Sequence, residues 1–371
     1  MAMASASSGV KMPLPGMQEA ATNSTVAHSQ LSIIKLINII NFGDSNSDTG
    51  GFPAAHGYIF NYPYGRTFFH RPFDRLCDGR LIIDFLCENV GMDYLSSYLE
   101  SLTPHFKNGV NFAVSGSQTL PKLVLFSLST QLLQFSRFRN RSLEFQSKGI
   151  KGMLGEEDFE NALYMIDIGQ NDISDAFSNL SKAQVIEKIP SFISEIEDAV
   201  RAIYKVGGRK FWVHNTGPVG CLPRSLATTK VRDPSTDFEE IGCLKSLNEA
   251  AQEFNVQLSD LCEDLRRGMK DATIVYVDIY TIKYNIISNF ALYGFENPLT
   301  ACCGGGGAPY NANISCGQSG YSVCEDGSKY ISWDGVHYSE KANAMVAASV
   351  LSTNYSTPPL KFDYFCSAPS D

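Results

Sequence analysis

Short apolar runs rich in β-branched residues alternate with longer amphipathic stretches along most of the chain. Each apolar run is followed within two residues by Gly, Asn or Thr, which is typical of a buried strand that ends in a turn. The runs predict five strands, over residues 36–42, 110–114, 162–168, 210–214 and 273–279. Because strands that alternate with helices form parallel sheets, the pattern predicts an α/β fold.

The amphipathic stretches place apolar residues at three- and four-residue steps, the spacing of one helical face. They predict helices over residues 80–90, 129–145, 184–205, 243–269 and 339–351. Ser339 is the predicted N-cap of the last helix. No Pro- or Ser-rich linker interrupts the chain after residue 30, so we expect a single domain over 31–371 after an irregular segment over 1–30.

Composition narrows the possible functions. The chain of 371 residues carries 30 basic and 39 acidic side chains, a formal net charge of −9, and 44% of its residues are hydrophobic. No apolar run approaches the roughly 18–20 residues that a membrane-spanning helix needs. The basic residues are scattered among more numerous acidic ones. We therefore expect neither integral membrane association nor nucleic-acid binding.

Cysteines and glycosylation motifs favour a secretory route. Five of the ten cysteines lie in Gly- and Ser-rich or C-terminal sequence, where disulfides stabilise a chain most. We expect several bridges among Cys302, Cys303, Cys316, Cys324 and Cys366, although buried reduced thiols are the alternative. Five N-glycosylation motifs occur, at Asn23, Asn140, Asn179, Asn313 and Asn354. Residues 1–30 lack the continuous apolar region of a signal peptide, so secretion remains an expectation without its usual leader.

A serine follows directly after the first predicted strand, in the segment Gly43-Asp44-Ser45-Asn46-Ser47-Asp48. In an open α/β sheet, ligands bind at the carboxyl ends of the strands, so Ser45 is a candidate nucleophile. The GxSxG motif of the α/β-hydrolases is absent from the sequence. The alternative is that Ser45 and Asp48 only cap the following helix.

The segment Asp334-Gly335-Val336-His337 supplies the partners that such a serine needs. A carboxylate three residues before a histidine can hold the Nδ1–H of the ring and leave Nε2 free to take a proton from a serine. Gly116 follows the second strand, and Asn171 follows the third. A backbone N–H of Gly116 and the amide of Asn171 are candidate donors to an oxyanion, although both residue types are also common in turns.

Four blocks in this order resemble the GDSL esterase/lipases of the SGNH hydrolase superfamily, specifically the plant branch. They are Gly43-Asp44-Ser45 with the residues through Gly51, Asn111-Phe112-Ala113 with Gly116, Gly169-Gln170-Asn171-Asp172, and Asp334-Gly335-Val336-His337. The resemblance covers the chain from about residue 40 onward. It implies a flavodoxin-like, three-layer α/β/α sandwich around a five-stranded parallel sheet.

The resemblance also implies roles: Ser45 as nucleophile, Asp334 and His337 as its partners, and Ser45, Gly116 and Asn171 as oxyanion donors, with no cofactor or metal. We expect hydrolysis of a small-molecule or glycan ester through an acyl-serine, with a short acyl group such as acetyl. The alternatives are an acyltransferase that uses the same acyl-enzyme, or a catalytically silent carbohydrate-binding relative. The Gly-rich, Cys-bearing segment 294–329 is our candidate for a specificity lid.

Overall fold

The computed structural model of the protein describes residues 37–121, 126–229 and 233–366. The segment predicted to be irregular, 1–30, and the motif at Asn23 lie outside these residues. The strands are β1 Ile39–Gly43, β2 Gly109–Asn111, β3 Leu163–Asp167, β4 Lys210–His214, β5 Thr273–Val277, β6 Asn297–Ala301, β7 Cys303–Gly304, β8 Ser322–Val323, β9 Tyr330–Ser332 and β10 Ser356–Thr357.

The helices include all five that the hydrophobic pattern predicts, with small shifts at their ends. In chain order they are α1 Gly51–His56, α2 Ile82–Asn89, α3 Leu128–Ser147, α4 Glu156–Asn161, α5 Gln170–Ala176, α6 Lys182–Lys205, α7 Pro223–Thr228, α8 Pro234–Asp237, α9 Lys245–Gly268, α10 Ile279–Ser288 and α11 Glu340–Leu351. Ser339 is the N-cap of α11, as predicted, and its side chain accepts a hydrogen bond from the Ala342 N–H.

The central sheet has the strand order β10-β5-β4-β3-β1-β2. The five predicted strands are parallel, so the prediction of an α/β fold with a mainly parallel sheet is confirmed. A sixth strand, the two-residue β10, pairs antiparallel with β5 and was not predicted. Two small two-stranded sheets, β6 with β9 and β7 with β8, lie in the Cys-rich part of the chain.

The strand order explains how helices come to flank the sheet. The chain moves from β1 to β2 in one direction and then reverses to β3, β4 and β5. Right-handed crossovers therefore put α2 on one face and α3, α6 and α9 on the other. Helices α3, α6 and α9 pack side by side, while α2 packs against α11, which also contacts α10. The buried strands β1 and β3 lie between these layers.

Candidate active site

The reversal of strand order falls at β1, whose neighbours are β2 and β3. Ligands bind at such a switch point because the adjacent crossovers leave on opposite faces and open a crevice. Ser45 follows β1 and is almost fully buried. The segments that carry Gly116 and Asn171 follow β2 and β3. The structure thus gathers the three predicted strand-end residues at one edge of the sheet.

Gly43 is the last residue of β1, and neighbouring atoms pack closely against its Cα. A Cβ at this position would lie 2.6 Å from the Ser47 hydroxyl and 2.7 Å from the Asp167 carbonyl oxygen, so only glycine fits. The buried Gln131 side chain of α3 accepts a hydrogen bond from the Gly43 N–H at 3.0 Å and donates one to the Gly43 carbonyl at 2.8 Å. The backbone that leads into Ser45 is therefore fixed by both the neighbouring strand and a helix.

Asp48 joins the loop after β1, which carries Ser45, to the loop after β2. Its carboxylate accepts hydrogen bonds from the N–H groups of Gly50, Gly51 and Phe52 at the start of α1, and from the Ser115 N–H at 2.7 Å. Burial raises the pKa of Asp48, and the four N–H groups oppose that rise. The predicted capping role of Asp48 is therefore present, and the same carboxylate also holds the residue next to Gly116.

Gly116 has a φ of +83°, in the left-handed region where glycine carries no steric penalty. A Cβ built on it would meet no atom of the described residues within 4 Å, so the described part of the chain leaves this position open. The backbone here can be approached closely by a ligand, as an oxyanion donor requires.

The amide of Asn171 is held by two acceptors. Its Nδ2 donates to the Ser117 carbonyl at 2.9 Å and to Oδ2 of Asp44 at 3.2 Å. These contacts tie α5 to the loop of Gly116 and to the residue before Ser45. Because both N–H groups are engaged, donation to an oxyanion requires one of them to be shared or exchanged.

Asp334 and His337 form the hydrogen bond that their spacing predicts. The distance from Nδ1 of His337 to Oδ2 of Asp334 is 2.7 Å. The other carboxylate oxygen accepts the N–H groups of Val336 and His337. Burial by itself raises the pKa of Asp334, but the His337 ring and these N–H groups outweigh it and lower that pKa.

The second ring nitrogen of His337 is free. Nε2 is buried and has no hydrogen-bond partner within the described parts of the chain, so the Ser45 hydroxyl is not bonded to it here. Substrate-free sites often have such loose contacts, which tighten when the substrate binds. An unpaired buried nitrogen opposite a carboxylate partner is suited to accept a proton.

A second carboxylate–histidine pair, not predicted from the sequence, lies nearby. Nδ1 of the buried His214 is 3.6 Å from Oδ2 of Asp167. These two residues are directly opposite each other in the β3–β4 register. Trp212 donates its indole N–H to Nε2 of His214 at 3.1 Å, so in the neutral ring the proton is on Nδ1, facing Asp167.

Asp44 and Asp167 share this buried region. Burial, followed by repulsion from Asp167, raises the pKa of Asp44 to about 7. Burial also disfavours the charge on Asp167, but contact with His214 and attraction to Lys283 lower its pKa below the usual range. The buried Lys283 has a lowered pKa because of desolvation, which the two carboxylates oppose. Of these two carboxyl groups, Asp167 is therefore the one that ionises first, and Asp44 keeps its proton to a higher pH.

Two pockets meet at the turn over residues 334–337, called the catalytic turn here because Asp334 and His337 are its predicted catalytic residues. The smaller, of about 330 Å³, is lined by Asp334, His337 and Ser115 together with an aromatic wall formed by Phe52, Tyr58, Phe60 and Tyr64. The larger, of about 800 Å³, is lined by Asn171 and by mostly polar side chains of α5, α7 and α9. Arg224 and Val336 line both. The predicted proton acceptor and the predicted amide donor thus face adjoining spaces.

The Cys-rich segment 294–329 supports the catalytic turn. Disulfides join Cys302 to Cys324 and Cys303 to Cys316, as expected for this region. The Cys303 N–H donates to the carbonyl of Trp333, the residue before Asp334, and Cys316 lines the smaller pocket. The segment therefore contributes to the pocket wall; whether it moves as a lid stays a prediction.

Two expectations about cysteines were incomplete. Cys366 is a buried free thiol rather than a bridge partner, and a third disulfide joins Cys221 to Cys243. These two cysteines and Glu239 form a cluster with metal-ligand spacing, but the disulfide removes both thiolates that a metal would need.

The glycosylation motifs at Asn140, Asn179, Asn313 and Asn354 all have exposed asparagines, as the modification requires. Over the three described ranges, no helix is long and apolar enough to cross a membrane.

Comparison with known proteins identifies the family. The family model of the GDSL-like lipase/acylhydrolases matches residues 39–350. A GDSL esterase/lipase of Arabidopsis thaliana is 55% identical over 88% of this chain and 90% of its own length. An esterase of Hevea brasiliensis is 41% identical over 88% of each chain. An acetylxylan esterase structure from Geobacillus stearothermophilus is 12% identical, covers 86% of this chain and 94% of its own, and has a TM-score of 0.37.

The matched region contains every strand-end segment and the catalytic turn described above. Homology of this extent to esterases and lipases indicates an enzyme that hydrolyses ester bonds. The chain therefore belongs to the GDSL esterase/lipase family of plants.

Proposed function

We propose that this protein is a serine esterase that removes short acyl groups, acetyl above all, from hydroxylated alcohols such as sugars. The observation that carries the proposal is the buried Asp334–His337 hydrogen bond: Nε2 of this histidine has no partner among the described residues, and its ring acts electrostatically on Asp44, the residue before Ser45. Disulfides and plant homologues are consistent with the secretory pathway, where glycan esters are accessible.

In the first step, the Ser45 oxygen attacks the ester carbonyl carbon while Nε2 of His337 takes the hydroxyl proton. The resulting oxyanion accepts hydrogen bonds from the backbone N–H groups of Ser45 and Gly116 and from the Asn171 amide. To donate to the oxyanion, the Asn171 amide gives up its longer hydrogen bond, the one to Oδ2 of Asp44. The carbon–oxygen bond to the alcohol then breaks, and Nε2 returns its proton to that alcohol.

In the second step, water attacks the acyl-Ser45 carbonyl and gives its proton to Nε2 of His337. The carbon–oxygen bond to Ser45 breaks, the serine oxygen regains the proton, and the carboxylic acid leaves. Asp334 remains ionised throughout, and its carboxylate stabilises the protonated ring. The lowered pKa of Asp334 fits this role.

The two pockets suggest where each part of the substrate lies. The leaving alcohol must be near Nε2 of His337 to receive a proton, so it fits the smaller pocket, whose aromatic rings can pack on a sugar face. The acyl group then points toward Asn171. A long alkyl chain would meet the hydroxyls of Ser174, Ser225 and Thr228 there, which favours a short or polar acyl group.

Hydrolysis of p-nitrophenyl acetate and of a long-chain p-nitrophenyl ester by the same preparation tests this proposal. We expect kcat/KM to be higher for acetate and to be lost in Ser45→Ala. The matched control is Ser352→Ala, an exposed serine at the end of α11, which should leave the rate unchanged. A long-chain preference would overturn the acyl assignment, and equal rates in wild type and Ser45→Ala would overturn the nucleophile.

A further inference from the structure

Arg224 is the cation that lines both pockets at the catalytic turn. It lies near the start of α7, and its backbone N–H donates to the Gly335 carbonyl at 2.9 Å. Because Gly335 lies between Asp334 and His337, the position of Arg224 is coupled to the turn that carries the proposed acid–base pair.

The guanidinium of Arg224 is oriented without a charge partner. It donates to the Ser315 hydroxyl at 2.8 Å and to the Asn313 carbonyl at 3.4 Å. Neither acceptor is ionised, and among the described ion pairs none involves Arg224. A guanidinium has five N–H donors, so three of those of Arg224 have no partner among the described residues.

The other polar groups in the two pockets limit which kind of ligand could bind to the Arg224 guanidinium. Asp334 is hydrogen-bonded to His337, and Asp175 is the other carboxylate among the residues that line the two pockets. Most remaining polar groups there are hydroxyls and amides, which bind neutral oxygens. The pockets therefore combine hydroxyl recognition with one positive charge beside the reaction centre.

We propose that Arg224 binds a carboxylate on the part of the substrate that does not react, so that the enzyme prefers esters with an acidic group in the acyl or the alcohol moiety. This inference rests on the proposed esterase function and deepens it. A guanidinium pairs with a carboxylate through two parallel N–H···O bonds, which gives both attraction and orientation. Acylated uronic acids, which combine hydroxyls with one carboxylate, have this chemistry.

Two matched substrate pairs test the proposal and locate the charge. On the acyl side, p-nitrophenyl hydrogen glutarate is compared with neutral p-nitrophenyl valerate. On the alcohol side, 4-acetoxybenzoate is compared with neutral 4-acetoxybenzamide. The measured quantity is the ratio of kcat/KM for the charged over the neutral member, because differences in intrinsic reactivity cancel when two enzyme variants are compared.

We expect Arg224→Gln to lower this ratio about 10- to 100-fold for at least one pair, the range of a charge-assisted hydrogen bond. Added salt should reduce the preference of the wild type. Ser315→Ala is the matched control: it removes the hydrogen bond that Arg224 donates but keeps the charge, so the ratio should persist.

An unchanged ratio for both pairs in Arg224→Gln would overturn the proposal. If Arg224→Gln lowered kcat/KM equally for the charged and the neutral member, the ratio would not change, and the arginine would act through packing of the Cys-rich segment instead. Failure of the esterase function itself looks different: the wild type would then hydrolyse neither member of either pair.

Discussion

The side-chain amide of Asn171 has two N–H groups, and the resting structure already uses both. If one of them turns to the oxyanion during the reaction, the amide is needed most in the transition state. We expect Asn171→Ala to lower kcat about 100- to 1,000-fold, as loss of one oxyanion donor does. Steady-state kinetics measure this, and a thermal melt shows whether the variant is folded. Full activity in a folded variant would remove Asn171 from the mechanism.

Asp44 should make stability depend on pH. Its pKa is about 7 in the folded protein, because of burial and repulsion from Asp167, against 3.8 without them. Between these values the folded state binds more protons than the unfolded state, so the free energy of unfolding falls as pH rises from about 4 to about 7. The charges of His337 and Lys283 attract the ionised Asp44 carboxylate and therefore oppose the rise of its pKa.

Asp44→Asn removes this titration. We therefore expect the stability of Asp44→Asn relative to the wild type to increase from pH 4 to pH 7 and to level off above. Urea unfolding of both proteins at several pH values gives this difference, in which contributions from other groups largely cancel. A difference that is constant with pH, or that falls, would contradict the raised pKa of Asp44.

Residues close in the sequence were predictable as a pair, and residues on separate strands were not. Asp334 and His337 are three positions apart, so one turn suffices to bring them together, and their hydrogen bond is present. Asp167 and His214 meet only because β3 and β4 are neighbours in register. The sequence does not encode that adjacency in any local pattern. Arg224 was missed for the same reason, since the pockets it lines are formed by distant segments.

At the scale of single elements, Asp48 joins the first turn of α1 to the loop after β2. Its four backbone hydrogen bonds involve a buried charged acceptor. Replacement by Asn removes the charge and turns one acceptor into a donor that faces N–H groups. We expect a loss of about 2–4 kcal/mol in the free energy of unfolding, because hydrogen bonds to charged groups contribute about 1.5–3 kcal/mol each.

Urea unfolding of Asp48→Asn measures this loss. Asp326→Asn is the control, because Asp326 caps the Ser328 N–H at an exposed site and should change stability far less. Equal effects of the two substitutions would show that Asp48 is not a structural link between the loops.

The hydrophobic pattern located the long elements well and the short ones poorly. Predicted β2 reached residue 114, whereas the strand ends at Asn111, although backbone bonds from Phe112 and Val114 continue to β1. Helix α1 has six residues and β10 has two, too few to show a period. Strand β10 is fixed by its antiparallel pairing with β5, a tertiary contact that a local pattern does not contain.

At the scale of the whole molecule, the reversal of strand order gathers the proposed catalytic residues at one edge of the sheet. The loops after β1 and β2 carry Ser45 and Gly116, helix α5 after β3 carries Asn171, and the Cys-rich segment supports the turn of His337 from the other end of the chain. The residue types at the strand ends were readable from the sequence. The strand order that brings them together follows from packing and was supplied by the structure.

The central claim is that Ser45 is the nucleophile that His337 activates, and covalent labelling tests it most directly. The native protein is treated with a fluorophosphonate, and the labelled peptide is identified by mass spectrometry in the wild type, Ser45→Ala and His337→Ala. We predict one adduct on Ser45 in the wild type, none in Ser45→Ala and much slower labelling in His337→Ala. An adduct on another residue, or equal labelling of folded Ser45→Ala, would contradict the account.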